Sequence, residues 1–208
     1  MSAAVSSRTA LNVSRETQEK LQILEQELRR WQVIKNLVGP ATLDQIWDRH
    51  IVDSLQLLEL APDAKTWVDL GSGAGFPGLV VAIVGQERGL KVQLVESNSR
   101  KCSFLRHVAR LTGSAVTVHA ARLETIVPTL VGQVDVVSAR ALASLTQLLE
   151  WTEPMLKAGT TGLFPKGRDA ESELTEARKR WTFEADVLPS RTDSDARIIR
   201  ITSIESHS

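Results

Sequence analysis

Between residues 66 and 165 short β-rich runs alternate with helical ones, and this rhythm constrains the fold more than any other feature of the chain. The expected strands are Thr66–Leu70, Lys91–Glu96, Val116–His119, Val134–Ser138 and Thr161–Pro165. The expected helices lie at 77–86, 99–112, 122–130 and 142–157. Strand–helix alternation implies right-handed βαβ crossovers and a mostly parallel sheet with helices on both faces, an α/β Rossmann-like architecture. Ligands of such sheets bind beyond the carboxyl ends of the strands. The loops after each strand are therefore the candidate sites.

The flanks read differently. Residues 14–36 predict a helix with Leu21, Leu24, Leu28 and Trp31 on one stripe, capped by Ser14 and ended by Gly39-Pro40. A second helix is expected from Thr42 to Pro62, with Thr42 and Gln45 spaced as a capping box. A helix near 169–180, rich in Glu171, Glu173 and Glu176, reads as a solvated face. The runs Trp181–Leu188 and Ala196–Thr202 predict a closing hairpin. The expected organisation is a disordered tail over 1–13, an N-terminal helical extension over 14–64 packed on the core, and a catalytic domain over 65–208.

Composition sets bounds on function. A formal net charge of +0 advertises no global field for nucleic acid or membrane, although it allows a local patch. No apolar run approaches the ~20 residues of a membrane span. The first 13 residues lack the apolar core of a signal peptide. The single Cys102 forms no internal disulfide, so a cytoplasmic setting is expected.

The stretch VDLGSGAGFPG at 68–78 follows the first strand and opens a helix. Its glycines allow a tight turn and let backbone N–H groups approach a ligand. Two readings compete. Gly73, Gly75 and Gly78 spell the dinucleotide signature GxGxxG. Asp69 with Gly71, Gly73 and Gly75 spells the opening of many methyl-donor sites. Pro77 removes a donor that a pyrophosphate would use, and Asp69 repels phosphate while favouring a cationic ligand. The methyl-donor reading is the better one on this stretch. An NAD(P)-dependent oxidoreductase and a non-catalytic nucleotide-binding regulator remain the alternatives.

Glu96 ends the second strand, where an acid takes ribose hydroxyls in either reading. Arg140, in Ser138-Ala139-Arg140-Ala141 after the fourth strand, borders the site as a positioning group; its bland reading is an ion pair with Asp135 or Glu124. No Asn/Asp-Pro-Pro-aromatic motif stands there, which argues against exocyclic amines as substrate. Cys102 reads as core, and the histidines show no metal spacing. The window 97–123 holds Arg100, Lys101, Arg106, Arg110 and Arg122 without an acid, and a second basic area includes Arg29, Arg30, Lys35 and Arg49. Arg49, Arg100, Lys101, Arg106, Arg110 and Lys166 are the candidate contacts to an anionic partner, which the family resemblance given next makes RNA phosphate. His50 reads as a core histidine, and with Arg49 and Asp53 it is placed to pin its helix against the glycine loop.

Several of these stretches together resemble the bacterial 16S ribosomal RNA guanine-N7 methyltransferases: WDRHIVDS at 47–54, 68–78, ESNSRKCSFLR at 96–106, Ala121–Glu124, Ser138–Ala141 and Pro165-Lys166-Gly167. The likeness spans residues 30–202. It implies a class I methyltransferase fold, S-adenosylmethionine as donor, and N7 of one guanine near the decoding site of the small ribosomal subunit as acceptor. It also implies cofactor contacts at Gly71, Phe76, Leu123, Glu124 and Arg140, with Glu96 on the ribose. A monomer is expected. Guanine N7 carries a lone pair and no proton, so this chemistry asks for positioning rather than a general base.

Overall fold

The computed structural model describes residues 13–35, 37 and 45–207. The expected tail, the Gly39-Pro40 stop and the Thr42 cap fall outside these residues, Val13 excepted. Helix α1 (Arg15–Lys35) leads to a π-helical turn (Trp47–Val52) that runs directly into α2 (Asp53–Glu59). Then come β1 (Thr66–Leu70), α3 (Gly78–Gly85), β2 (Lys91–Glu96), α4 (Ser99–Thr112), β3 (Val116–Ala120) and α5 (Leu123–Leu130). The chain finishes with β4 (Val136–Ala139), α6 (Leu145–Lys157), β5 (Thr161–Lys166), α7 (Ala170–Ala177), β6 (Trp181–Pro189) and β7 (Arg197–Ser206).

One 7-stranded sheet has the order β3-β2-β1-β4-β5-β7-β6. The strands β3, β2, β1, β4 and β5 pair in parallel, and β7 and β6 close the far edge antiparallel. The strand order turns back between β1 and β4. That switch point leaves a crevice at the carboxyl ends of both strands, which is where such sheets bind ligands. Central strands are apolar throughout, as sheets covered on both faces require: Trp67, Val68, Leu70, Val136 and Val137 are buried.

The fold confirms the reading of the alternation. Leu21, Leu24 and Leu28 of α1 share one buried cluster with Phe104, Leu105 and Val108 of α4. Trp31 sits edge-on to Phe104, ring centroids 5.6 Å apart. Ser14 caps α1 by accepting the Thr17 N–H at 3.2 Å. One expected helix changes character. The segment before α2 is wound as a π-helix, and such turns concentrate at functional sites. Periodicity counts apolar positions and does not register one extra residue per turn.

Candidate active site

The glycine loop sits on a buried acid. Asp69 is fully buried; its Oδ1 accepts the Ser138 hydroxyl at 2.8 Å and its Oδ2 accepts the Gly78 N–H at 3.2 Å. Burial raises its pKa from 3.8 to about 6, against the lowering effect of hydrogen bonds from Ser138, Ser72 and Gly78 and of the Arg140 charge. The expectation that Asp69 offers its carboxylate to a cationic ligand is therefore corrected. The side chain turns inward and ties β1, β4 and the start of α3 together. Gly78 makes this possible: a Cβ there would lie 2.7 Å from Asp69 Oδ2 and 2.3 Å from Leu94. The third glycine of the GxGxxG pattern thus serves close helix–strand packing.

Above this strut the loop is a cradle. Gly73 has φ +54, and a Cβ on it would meet only the Gly71 carbonyl, at 3.7 Å. The space that a side chain would fill is left to a ligand. Glu96, at the end of β2, accepts the Gly73 N–H at 3.0 Å and the Asn98 N–H at 2.8 Å. A carboxylate has about four lone-pair sites, so Glu96 keeps acceptors for a ribose diol. Asn98 caps α4 by accepting from Arg100 and Lys101. Leu123 and Glu124 begin α5 just beyond β3, half-buried and exposed respectively. Gly71, Gly75 and Phe76 lie in the same loop.

Across the switch point the site is built from side chains. His50 stacks on Phe76, ring centroids 4.8 Å apart, so the π-helical turn does pin the glycine loop. Arg140 leaves β4 and donates to the Arg49 carbonyl at 3.1 Å, Asp53 Oδ2 at 3.4 Å and His50 Nδ1 at 2.9 Å. Asp53 is its ionic partner; the alternatives named from sequence are not. Asp135 instead accepts the backbone N–H groups of Lys65 and Thr66, each at 2.8 Å. Burial lowers the Arg140 pKa, and Asp53 and Asp69 act to raise it. A guanidinium stays charged, so Nδ1 of His50 is the acceptor and the ring is neutral. Burial first, then the Arg140 charge, lowers the His50 pKa to about 4.

Beyond Arg140, Ala141 takes φ 51, left-handed backbone that a non-glycine residue rarely adopts. It lines a cavity of about 410 Å³ between the π-helical turn, the ends of β4 and β5, and the β6–β7 turn. Lys166 lies on its wall but is not the free phosphate ligand expected. Its ammonium is 2.8 Å from Glu173 and donates to the Ala143 carbonyl at 2.6 Å. Glu173, read as a solvated acid, is thus a brace. Arg49 is half exposed and pairs with Asp193 at 3.4 Å. On α4, Arg100, Arg106 and Arg110 are exposed and Lys101 is half-buried.

Cys102 is buried, and burial raises its thiol pKa, which suits core and not a nucleophile. Among the described residues no His/Cys/Asp/Glu group is arranged to hold a metal, and no helix is long and apolar enough to cross a membrane. Sequence reasoning missed Ser138, Ser190 and Thr192 as parts of the site, and gave Asp53 no contact to Arg140. No local spacing reports such pairs.

A cofactor cradle at the end of β1, an acid at the end of β2, and a cavity beyond β4 and β5 define a class I S-adenosylmethionine-dependent methyltransferase. The fold is shared with an O-methyltransferase from Bacillus cereus in complex with SAH, at TM-score 0.60 and 13% identity over 96% of both chains. The chain belongs to the family of rRNA small subunit methyltransferase G, whose model matches residues 17–197. It is 62% identical to the ribosomal RNA small subunit methyltransferase G of Methylobacterium radiotolerans, covering 94% of this chain and 92% of that one. It is also 62% identical to the protein of that name from Methylorubrum extorquens, covering 93% and 92%. Its activity is methylation of ribosomal RNA from S-adenosylmethionine. The dinucleotide and regulator readings find no support.

Proposed function

We propose that the chain methylates N7 of one guanine in 16S RNA, acting as a monomer on an assembled or nearly assembled small subunit in the cytoplasm. The observation that carries the N7 assignment is that, among the described residues, the basic atoms facing the cleft are engaged: His50 Nδ1 accepts from Arg140, which makes its buried, unpartnered Nε2 the protonated nitrogen and no base. Asp69 is buried under the loop, and Asp53 is engaged by Arg140 and Thr192. An acceptor that must lose a proton during attack would be poorly served; guanine N7 has none to lose.

The residues fit the donor. Gly73 and its neighbours would hold it, with Glu96 accepting from its ribose hydroxyls and Leu123 and Glu124 at the start of α5 beside its base. The donor supplies an electrophilic methyl group on a sulfonium. The chain's own work is to align N7 with that methyl, exclude water, and tolerate positive charge on the base. Arg140 is held on three sides and fixes the border between the two half-sites. The exposed Arg100, Arg106 and Arg110, with Lys101 and Arg49, supply phosphate contacts, which position RNA without reading its sequence. The test is methyl transfer by the purified protein to small subunits and to naked 16S RNA, followed by strand scission at 7-methylguanine. A single cleavage site supports the reading; label on an exocyclic nitrogen or a ribose oxygen refutes it.

A further inference from the structure

We propose that Asp53 is a positioning residue that couples the β6–β7 turn to Arg140, so that the wall of the acceptor cavity and the Arg140 guanidinium are set by one carboxylate. This rests on the proposed function, with the cavity beyond β4 and β5, lined by Arg140 and Asp53 opposite the glycine loop, taken as the side that receives the guanine.

The two oxygens of Asp53 face different segments. Oδ2 takes Arg140, 87 positions away, at 3.4 Å. Oδ1 takes the Thr192 hydroxyl at 2.9 Å, the Ser190 hydroxyl at 3.3 Å and the Gln56 amide at 3.2 Å. Gln56 repeats the tie by accepting the Arg191 N–H at 2.7 Å. The turn from Ser190 to Asp193 is therefore held by the helix that carries Asp53, and not by its own strands alone. Side-chain exposure is 15% for Asp53 and 19% for Arg140, so water does not compete freely for the pair. Asp53 begins α2 where the π-helical turn ends. The extra residue in that turn sets which way Asp53 points relative to His50 and Arg49. A hairpin at a sheet edge would otherwise move independently of a strand end in the sheet centre; here Asp53 is the side chain that touches both, while the side chains of Gln56, Glu59 and Arg49 hold the turn alone.

Two variants separate the arms. Asp53→Asn keeps the size of the side chain and removes its charge. Ser190→Ala/Thr192→Val removes the two hydroxyl contacts from the turn to Asp53 and leaves the Gln56 tie to Arg191 in place. Each should lower kcat on small subunits by about 10- to 100-fold while leaving the KM for S-adenosylmethionine unchanged. Combining them should add little to Asp53→Asn, because both act through one path. Wild-type kcat in either variant, additive losses, or equal loss of cofactor affinity would each overturn the proposal. The turn variant carries the test should Asp53→Asn fold poorly. A second readout needs no reaction: the Arg140 guanidinium NMR signals should broaden in both variants, and unchanged signals would overturn the coupling. If the wild type makes no 7-methylguanine while those signals do broaden, the assigned function fails and the coupling stands.

Discussion

The two halves of the cleft, donor and acceptor in the proposed function, meet at the switch point but are held in different ways. The donor half is backbone on a local frame. Gly73, Gly75 and Gly78 lie within nine positions of Asp69, and Gly73 ties to Glu96, 23 positions on, while the strut beneath them reaches from Asp69 to Ser138 over 69 positions. The acceptor half is side chains drawn from distant segments: Arg140 with Asp53, Asp53 with Thr192 over 139 positions, Arg49 with Asp193 over 144. A glycine turn whose N–H groups are tied inward, to Glu96 and Asp69 among others, is a fixed shape, which suits a cofactor that is always the same. A cage of ion pairs suits a nucleotide that must be admitted, aligned and released.

The largest expected effect falls where the halves join. Arg140→Ala should lower methyl transfer by about 100-fold or more, since small misplacement of reactants has that cost, measured as single-turnover rates on small subunits. Next is the donor cradle. Gly73→Val puts a β-branched residue at φ +54 and fills the ligand space. Calorimetry should show S-adenosylmethionine binding lost while circular dichroism remains that of a folded protein; retained affinity would break the division between the halves. Gly78→Ala drives a Cβ into Leu94 and Asp69, and overpacking of this kind costs about 1–3 kcal/mol. Its melting temperature should fall before its chemistry does.

The smallest effects are of opposite sign in the two halves. Asp69 has a folded pKa of about 6, above its ordinary 3.8. Its contribution to stability is present at low pH and lost as pH rises through about 6. Asp69→Asn should therefore gain on the wild type in melting temperature as pH rises from 4 to 7. His50 has a folded pKa of about 4, below its ordinary 6.5. Its contribution is present above 6.5 and lost as pH falls through about 4. The deficit of His50→Gln should shrink over that fall. Slopes of the same sign would show that the two groups do not sit in the environments described here.

The same division explains what the sequence made legible. The alternation from Thr66 to Lys166 gave the sheet because hydrophobic period and β-propensity are local. Glu96 was legible because a strand end is a local event. The inward turn of Asp69 was not, because a carboxylate next to a glycine loop looks the same whether it faces ligand or core. Gly78 settles it: its N–H donates to Asp69 Oδ2 at 3.2 Å, and a Cβ there would lie 2.7 Å from that oxygen, a closeness that only the fold creates. Lys166 looked like a free cation because its partner Glu173 belongs to a helix whose charges read as solvated. Asp53 gave no sign of its link to Arg140, because a pair 87 positions apart leaves no spacing to read.

The central claim is that these two halves together transfer a methyl group to N7 of one guanine in 16S RNA. It is tested most directly by mass mapping of 16S RNA from cells with the chain and from cells without it. The account predicts one 7-methylguanine present in the first and absent in the second, restored by the wild type and not by Arg140→Ala. An unchanged 7-methylguanine map, or loss of a methyl group from a different atom, would contradict it.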